Sequence, residues 1–299
     1  MALTTSIDRV DENGRELLSY GTPQFPIAFF DDDLSIVSVP YHWHDEFEIV
    51  VLTEGSVRAR IAGKEFSLSA GEGYFSNSGV LHAESLQTPT GHQHALVFDP
   101  GIIAGKQELA WKTYVEPILA NRSLPFVRLS PSVPWQREVL RLAETAWEAG
   151  AYEEKDYPLL VRHCLGLAFS RLTDHADSLK TEFQDTEKIW RDELRIKKAL
   201  SFIEGSFDTA LTIEDIAASA NLGVSSCLRL FRSALGTTPV RYLVKLRLQK
   251  AAEELLRGEN RSIAEIAYSC GFSDASYFNR CFRKAYGKTP SAFRAEARG

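Results

Sequence analysis

No apolar run in the chain approaches the roughly 18 residues that a membrane-crossing helix needs, so no such helix is expected. The segment from Met1 to Asp8 lacks a basic stretch followed by an apolar one, so no signal peptide is expected and the expected location is the cytoplasm. Cysteine is scarce. Cys164, Cys227, Cys270 and Cys281 form no C-x-x-C pair and sit among apolar residues of helical-looking segments. That argues against a disulfide framework or a cysteine-rich zinc site and for four reduced, mostly buried thiols. The chain also lacks an overall excess of positive charge: its net charge is −6, which by itself argues against nucleic acid.

What is present is an ordinary globular composition, 44% hydrophobic and 25% charged over 299 residues, long enough for two substantial cores. Charge is spread unevenly. From Trp190 to Gly299 there are 18 Lys+Arg against 12 Asp+Glu, a balance of +6, while the rest of the chain carries 16 against 28, a balance of −12. The C-terminal part is therefore the candidate anion-binding half, and the N-terminal part a solvated acidic one.

From about Leu34 to Val97 the pattern is that of short strands. Val57, Ala59 and Ile61 alternate with polar residues, as do Phe66 and Leu68, and Gly55, Gly63, Gly71, Gly73 and Gly79 fall at turn-like spacing. This suggests a sandwich or barrel. The period then changes. After prolines at 125, 131 and 134, Trp135, Val139, Leu142 and Ala146 form one helical stripe, and Val161, Leu165, Ala168 and Leu172 another. Thr173 to Glu187 is polar without a stripe and is expected to be a linker.

The C-terminal part repeats itself. Phe231-Arg232-Ser233-Ala234-Leu235-Gly236-Thr237-Thr238-Pro239 matches Phe282-Arg283-Lys284-Ala285-Tyr286-Gly287-Lys288-Thr289-Pro290 at an offset of 51. Upstream, Ile213-Glu214-Asp215-Ile216-Ala217 matches Ile263-Ala264-Glu265-Ile266-Ala267 at an offset of 50. Each copy reads as a short helix, a turn (Asn221-Leu222-Gly223 or Gly271-Phe272-Ser273) and a second helix, the helix-turn-helix pattern whose second helix enters the major groove. In the first copy Cys227, Leu230 and Phe231 should face inward; in the second, Tyr277, Phe278, Cys281 and Phe282. Between the copies Thr238 can cap a helix with Pro239 at its first position, carrying Leu243, Leu246, Leu248, Leu255 and Leu256.

Over about Lys197 to Arg298 these residues resemble the arabinose-regulator (AraC/XylS) family. The motifs are Ile-x-x-Ile-Ala, then Gly-Phe-Ser-Asp-x-Ser-Tyr-Phe-x-Arg-x-Phe-Arg-Lys at 271–284 and Gly-x-Thr-Pro-x-x-Phe at 287–293. Gly223 departs from the pattern, standing where the family often has Ser. The resemblance places Arg229 and Arg280 as the recognition-helix arginines. Ser225, Ser226, Ser276 and Asn279 lie on the same faces, and Arg232, Arg283 and Lys284 are expected at phosphates. Arginine suits guanine O6 and N7, and asparagine suits adenine.

Further upstream, Tyr41-His42-Trp43-His44-Asp45-Glu46-Phe47-Glu48, with later glycines and His82, resembles the cupin pattern over about Ile36 to Phe98. The resemblance implies His42, His44, Glu48 and His82 as metal ligands. Such a set suits zinc, iron, manganese or nickel. Ile36, where a Gly is expected, and Asn77, where a Pro is expected, depart from it. Tyr41 and Trp43, with Phe29 and Phe30, are candidate pocket aromatics.

The expected architecture is α+β and multidomain. Residues 1–125 form a cupin-like β-barrel that senses an effector, 126–178 a helical dimerisation segment, 179–192 a linker, and 193–299 an all-α DNA-binding domain of two helix-turn-helix units. The implied protein is a non-enzymatic, effector-controlled transcription regulator, an activator of cytoplasmic location. Its expected partners are double-stranded promoter DNA, a small-molecule effector, RNA polymerase and a second copy of itself, with a divalent transition metal as the one candidate cofactor. The alternative is a cupin metalloprotein or metalloenzyme with an accessory DNA-binding domain.

Overall fold

A computed structural model of the chain describes residues 21–37, 39–153, 155–179, 186–256 and 261–296. It divides into two compact units, the first ending at Glu193 and the second beginning at Leu194.

Among the described residues of the first unit, nine antiparallel strands form two facing sheets. They are β1 (Ile27–Asp33), β2 (Val39–His42), β3 (Phe47–Glu54), β4 (Ser56–Ile61), β5 (Lys64–Ser69), β6 (Gly73–Ser76), β7 (His82–Leu86), β8 (His92–Phe98) and β9 (Phe126–Leu129). One sheet has the order β1-β8-β3-β6-β9 and the other β2-β7-β4-β5. The four-stranded sheet alternates, with Val57, Ala59 and Ile61 buried and Arg58 exposed between them. The five-stranded sheet does not alternate: Phe47 through Leu52 are all buried. Its two faces serve two cores. Ala28, Phe30, Val50, Leu52, Ala95 and Val97 point into the barrel. Ile27, Phe29, Phe47, Ile49, Leu96 and Phe98 point outward beneath α2 (Pro134–Ala151) and α3 (Tyr157–Leu179). A sheet buried on both faces reads as a continuous apolar run because neither face meets water.

The stripes of α2 and α3 (Val139, Leu142, Ala146; Val161, Leu165, Ala168, Leu172) are spent on this outer face of the sheet. Gly150 of α2 lies so close over Phe29 that a Cβ there would stand 2.0 Å from the ring. Phe29 is therefore helix-packing core and not a pocket aromatic.

Three boundaries differ from the sequence expectation. Phe126–Leu129, assigned to the helical segment, is β9, an edge strand paired with β6; four alternating residues are too short for periodicity to reveal. Helix α3 runs on through 173–179, because Leu172, Ala176 and Leu179 keep a sparse apolar stripe against the same core. Helix α4 (Thr186–Glu204) begins inside the expected linker and continues across the division between the units. Residues 180–185 of the expected linker lie outside the described ones. Between β8 and β9 lie three helical pieces, a short turn at Pro100–Ile102, then Trp111–Val115 running into α1 (Glu116–Leu119).

The second unit is all helical: α5 (Ile213–Ser219), α6 (Val224–Leu235), α7 (Pro239–Leu256), α8 (Ile263–Ser269), α9 (Ala275–Tyr286) and α10 (Pro290–Glu296). Leu243, Leu248 and Leu255 of α7 are buried, while Leu256 is exposed. Among the described residues no helix is long and apolar enough to cross a membrane. All four cysteines are free thiols, three buried and Cys281 half-buried.

Candidate functional site

Two places bring polar side chains together with purpose: the paired helices of the second unit and the mouth of the barrel. The helix pairs come first. Thr212 caps α5, its hydroxyl accepting from the Asp215 N–H at 3.1 Å while the Asp215 carboxylate accepts from the Thr212 N–H at 2.9 Å. Ser262 and Glu265 repeat this reciprocal box at α8, at 3.1 and 2.7 Å. The turns repeat as well. The Leu222 N–H donates to the Ala217 carbonyl at 2.9 Å, and the Phe272 N–H to the Ala267 carbonyl at 3.0 Å. Asn221 (φ 53°) and Gly271 (φ 81°) both hold the left-handed conformation that turns the chain toward the second helix.

The second helices then divide into two faces. In α6, Cys227, Leu230 and Phe231 are buried, while Ser225, Arg229 and Arg232 are exposed and Ser226 is half-buried. In α9, Phe278 and Phe282 are buried, while Ser276, Asn279, Arg280, Arg283 and Lys284 are exposed. Ser276, Asn279, Arg280 and Arg283 follow a three-four-seven spacing, so they share one face of α9. Tyr277 does not face the core as its apolar ring suggested; it is 44% exposed. It lies about 100° round the helix from Phe278, which carries it out of the buried stripe and onto the edge of the polar face. The periodicity alone could have placed it there.

The helix starts are electrostatically prepared. Asp274 caps α9, accepting from the Ser276 N–H at 2.6 Å and the Tyr277 N–H at 3.2 Å, and these bonds hold its carboxyl below the usual range. The Thr212 hydroxyl and amide do the same to Asp215, and the Ser262 amide and hydroxyl to Glu265. Arg247 of α7 is engaged internally: its guanidinium donates to the Phe207 and Thr209 carbonyls at 2.7 Å each, and it lies over the Phe272 ring. It ties the loop before α5 to the turn of the second pair.

In the barrel, His42 and His44 flank the end of β2, Glu48 lies on β3 and His82 on β7, where His42 and His82 are cross-strand partners. All four are buried. Their ring centroids lie 4.1 Å (His42–His82), 5.2 Å (His44–His82) and 5.8 Å (His42–His44) apart. Each Nδ1 meets a backbone carbonyl: His42 that of Pro40 at 2.9 Å, His44 that of Glu46 at 3.2 Å and His82 that of Val80 at 2.8 Å. A carbonyl can only accept, so each Nδ1 carries a proton and Nε2 is the ring nitrogen turned to the interior. The three imidazoles can direct one ligand atom each to within 4.8 Å of one another. Glu48 Oε2 stands 2.9 Å from His82 Nε2 and 3.8 Å from His44 Nε2, but neither the Glu48 oxygen nor His82 Nε2 makes an aligned hydrogen bond. Burial alone would raise the Glu48 carboxyl; the facing His82 and His44 outweigh it and hold the group below the ordinary carboxylate range. Tying one imidazole nitrogen to a backbone acceptor is how metal-bound histidines are oriented, so this set fits a tetrahedral or octahedral transition metal.

The candidate aromatics behave differently. Tyr41 points to the outer face of the four-stranded sheet, its hydroxyl accepting from Arg60 at 3.4 Å beside Glu65. A strand alternates its side chains, so the alternation that brings His42 inward sends Tyr41 out. Trp43 is half-buried. Phe30 does point inward. Deeper in the barrel are groups that sequence reading missed: Asp32, Tyr74, Glu84 and Gln93. Burial, followed by repulsion from Glu48, pushes the Glu84 carboxyl up to about 8. Inward alternation along β1, β6, β7 and β8 was the signal available. The two departures from the cupin pattern also find their places. Ile36 is exposed in a loop. Asn77 is a buried strut, its amide donating to the Ile118 and Leu124 carbonyls at 2.8 and 3.0 Å and its N–H to the Pro125 carbonyl at 2.9 Å, none of which a proline could do.

The first half of α4 docks on this part of the first unit. The Trp190 indole donates to the Arg122 carbonyl, and the Glu193 carboxylate accepts from the N–H of Leu81, the residue before His82.

Comparison with known proteins agrees with both halves. The family model for the AraC-like ligand binding domain matches residues 27–104, and that for a helix-turn-helix domain matches residues 216–296. The chain is 28% identical over 289 residues to the uncharacterized HTH-type transcriptional regulator YdeC of Bacillus subtilis, covering 95% of this chain and 97% of the relative. It is 27% identical over 256 residues to the HTH-type transcriptional activator RhaS of Citrobacter koseri, covering 85% and 87%. Among solved structures, an AraC-type DNA-binding transcriptional regulator from Chromobacterium violaceum shares 33% identity over 34% of this chain and 91% of its own, with a TM-score of 0.33.

Proposed function

Because the chain belongs to the AraC-type DNA-binding transcription regulators that carry a ligand-binding domain, we propose that it reads promoter DNA with α6 and α9 and changes that reading when an effector enters its barrel. One observation carries the proposal. Two helix pairs with the same capping box and the same turn bond present arginines at matching exposed positions, Arg229 and Arg232 on α6, Arg280 and Arg283 on α9. Arg229 and Arg280 are assigned to base edges, with Ser225, Ser226, Ser276 and Asn279 beside them; Arg232, Arg283 and Lys284 are assigned to phosphates. A promoter-bound regulator of this kind acts on RNA polymerase, as an activator like the RhaS relatives, and catalyses nothing itself. A chromosome-wide map of bound DNA, followed by anisotropy titrations on the bound and on scrambled fragments at several salt concentrations, tests it. Equal affinity for both fragments at every salt would refute sequence reading.

The effector site is assigned to the barrel interior around His42, His44, Glu48 and His82, with Tyr41 excluded by its outward direction. The fixed Nδ1 protons favour a metal as part of that site, which would supply a Lewis-acidic anchor for an effector oxygen. The chain's own contribution is to hold the rings and bury the site. Elemental analysis after metal-supplemented growth tests this branch: less than about a tenth of chains loaded would end it. His44→Ala and His82→Ala proteins that fold, bind DNA and keep the full response to inducer in a reporter strain would move the effector elsewhere. Signal passage is assigned to α4, whose first half docks beside His82 and whose second half enters the DNA-binding unit.

For assembly we assign a homodimer, since paired half-sites call for paired readers. The stripes of α2 and α3 do not support it, being occupied by the sheet; exposed Leu159 at the start of α3 is the apolar residue left on that pair. Light scattering of the full chain tests it, and a clean monomer at tens of micromolar would end it.

A further inference from the structure

The H-x-H spacing occurs twice in the chain, at His42-x-His44 and at His92-Gln93-His94. The second lies on β8, whose alternation sends Gln93 into the barrel and both histidines to the outer, helix-covered face. Directly across from His94, on the edge strand β1, stands Asp31. Asp31, His92 and His94 can offer one ligand atom each, all within 4.8 Å of one another. The Asp31 carboxylate is in contact with His92 Nε2 and lies 3.8 Å from His94 Nε2.

We propose that Asp31, His92 and His94 form a second metal site, separate from the barrel interior, that binds a divalent transition metal of the zinc–nickel–copper class. The orientation of His94 carries the argument. Its Nδ1 lies 3.0 Å from Oε2 of Glu144 on α2, and a carboxylate can only accept, so Nδ1 carries a proton and Nε2 is the nitrogen turned toward Asp31, 3.8 Å away. A carboxylate behind a histidine is the usual second support of a metal-binding imidazole. The ring is also fixed in plane: it stacks on Trp147 at 3.5 Å and 6°, and Trp147 is itself pinned by donating its indole N–H to the Phe30 carbonyl at 2.8 Å. The other oxygen of Glu144, Oε1, is buried without a hydrogen bond, so the carboxylate is committed to His94.

The surroundings suit a metal that arrives from solution. Asp31, His92 and His94 are each half-buried, with side-chain exposures of 36%, 35% and 19%. Asp33, the next acidic residue on the same face of the strand, is taken up by the Ser35 amide and hydroxyl. Two imidazoles and one carboxylate select a borderline metal over magnesium or calcium, which prefer all-oxygen sets. A bound ion would join β1 and β8, with His94 backed by α2, where the sheet and its covering helices meet.

The test uses tag-free, metal-free full-length protein titrated with zinc by calorimetry and with nickel by tryptophan fluorescence. The His44→Ala/His82→Ala protein, in which the barrel set is disabled, should still bind one zinc, and nickel should quench the Trp147 emission. Adding His92→Gln should weaken that equivalent at least tenfold, and Glu144→Gln should weaken it 10- to 100-fold, the range for loss of an orienting partner. Asp31→Asn is a second variant should His92→Gln fail to fold by circular dichroism. Should the barrel bind no metal, wild-type protein will bind one zinc in place of two, with the His92 dependence intact. The proposal is overturned if the barrel-disabled protein binds no zinc, or if His92→Gln and Asp31→Asn proteins bind it as tightly as their parent.

Discussion

In the α5–α6 pair the turn residue with positive φ is Asn221, and α6 starts at Gly223 with no side-chain cap. In the α8–α9 pair the matching residues are Gly271 and Asp274, and Asp274 caps two amides. The polar faces differ as well. The recognition face of α6 carries two serines and two arginines, whereas that of α9 carries Ser276, Asn279, Arg280, Arg283 and Lys284, with Tyr277 at its edge. The same plan therefore yields a second unit with a longer turn, a firmer helix start and more donors for DNA. The two units diverge in finish while their cores stay alike: Cys227 and Phe231 in one, Phe278 and Phe282 in the other, are fully buried.

The largest expected break in this comparison is at the turn. Gly271→Ala places a Cβ 2.4 Å from the Phe207 carbonyl at φ 81°, so both strain and overlap act. We expect a loss of about 2–5 kcal/mol. Asn221→Ala, which keeps a Cβ already present, should lose only about 1 kcal/mol. Urea unfolding of the two variants checks the contrast, and equal losses would mean the turns are interchangeable.

Next comes recognition. Arg280→Ala should cost about 1–3 kcal/mol on the bound promoter site and less on random DNA, the mark of a bidentate base contact. Arg229→Ala should follow the same pattern with a smaller loss, if α9 is the stronger reader. Arg283→Ala should weaken both DNAs alike and lower the salt slope by about one. Equal loss on both DNAs for Arg280→Ala would demote it to a phosphate contact.

Acid sharpens the contrast at the helix starts. Asp274 is held below its ordinary value by the amides it caps, so its stabilisation is present above the unfolded carboxylate range and is lost as pH falls through the folded value. Asp274→Asn keeps an amide-capping oxygen without the titration. Its urea midpoint should fall less between pH 6 and pH 3.5 than that of the parent; an unchanged difference would exclude the Asp274 charge from the effect. The smallest effect is expected at Gly223. Its φ of −75° and ψ of 155° suit a capping serine, and a Cβ there meets no atom within 4 Å. Gly223→Ser should stabilise by a few tenths of a kcal/mol and bring the first unit closer to the second.

Much of the second unit was legible before any coordinates, because its signals are local. Capping residues, turn glycines and a helical stripe act within a few residues, and the fifty-residue repeat doubles each one. Tyr277 was misplaced because an apolar ring says nothing about which side of a stripe's edge it falls on. The barrel was legible in outline. The alternation of β4 is local too, and the resemblance to the cupin pattern named His42, His44, Glu48 and His82 together before the fold placed them.

The sequence by itself determined the class of each half and the paired helix-turn-helix units, since periodicity and spacing decide what shares a face; the residues that gather in the barrel came with the cupin resemblance. Only the tertiary structure decided what lies across from what. It used the stripes of α2 and α3 on the outer face of a doubly buried sheet, turned Tyr41 outward, drew β9 into that sheet and ran α4 through the expected linker. It also set Asp31 beside His92 and His94, with Glu144 behind, from residues up to 113 positions apart. Such meetings depend on strand register and on which face of a sheet a helix covers, and these are settled by burying apolar area between distant segments, a quantity no local pattern records.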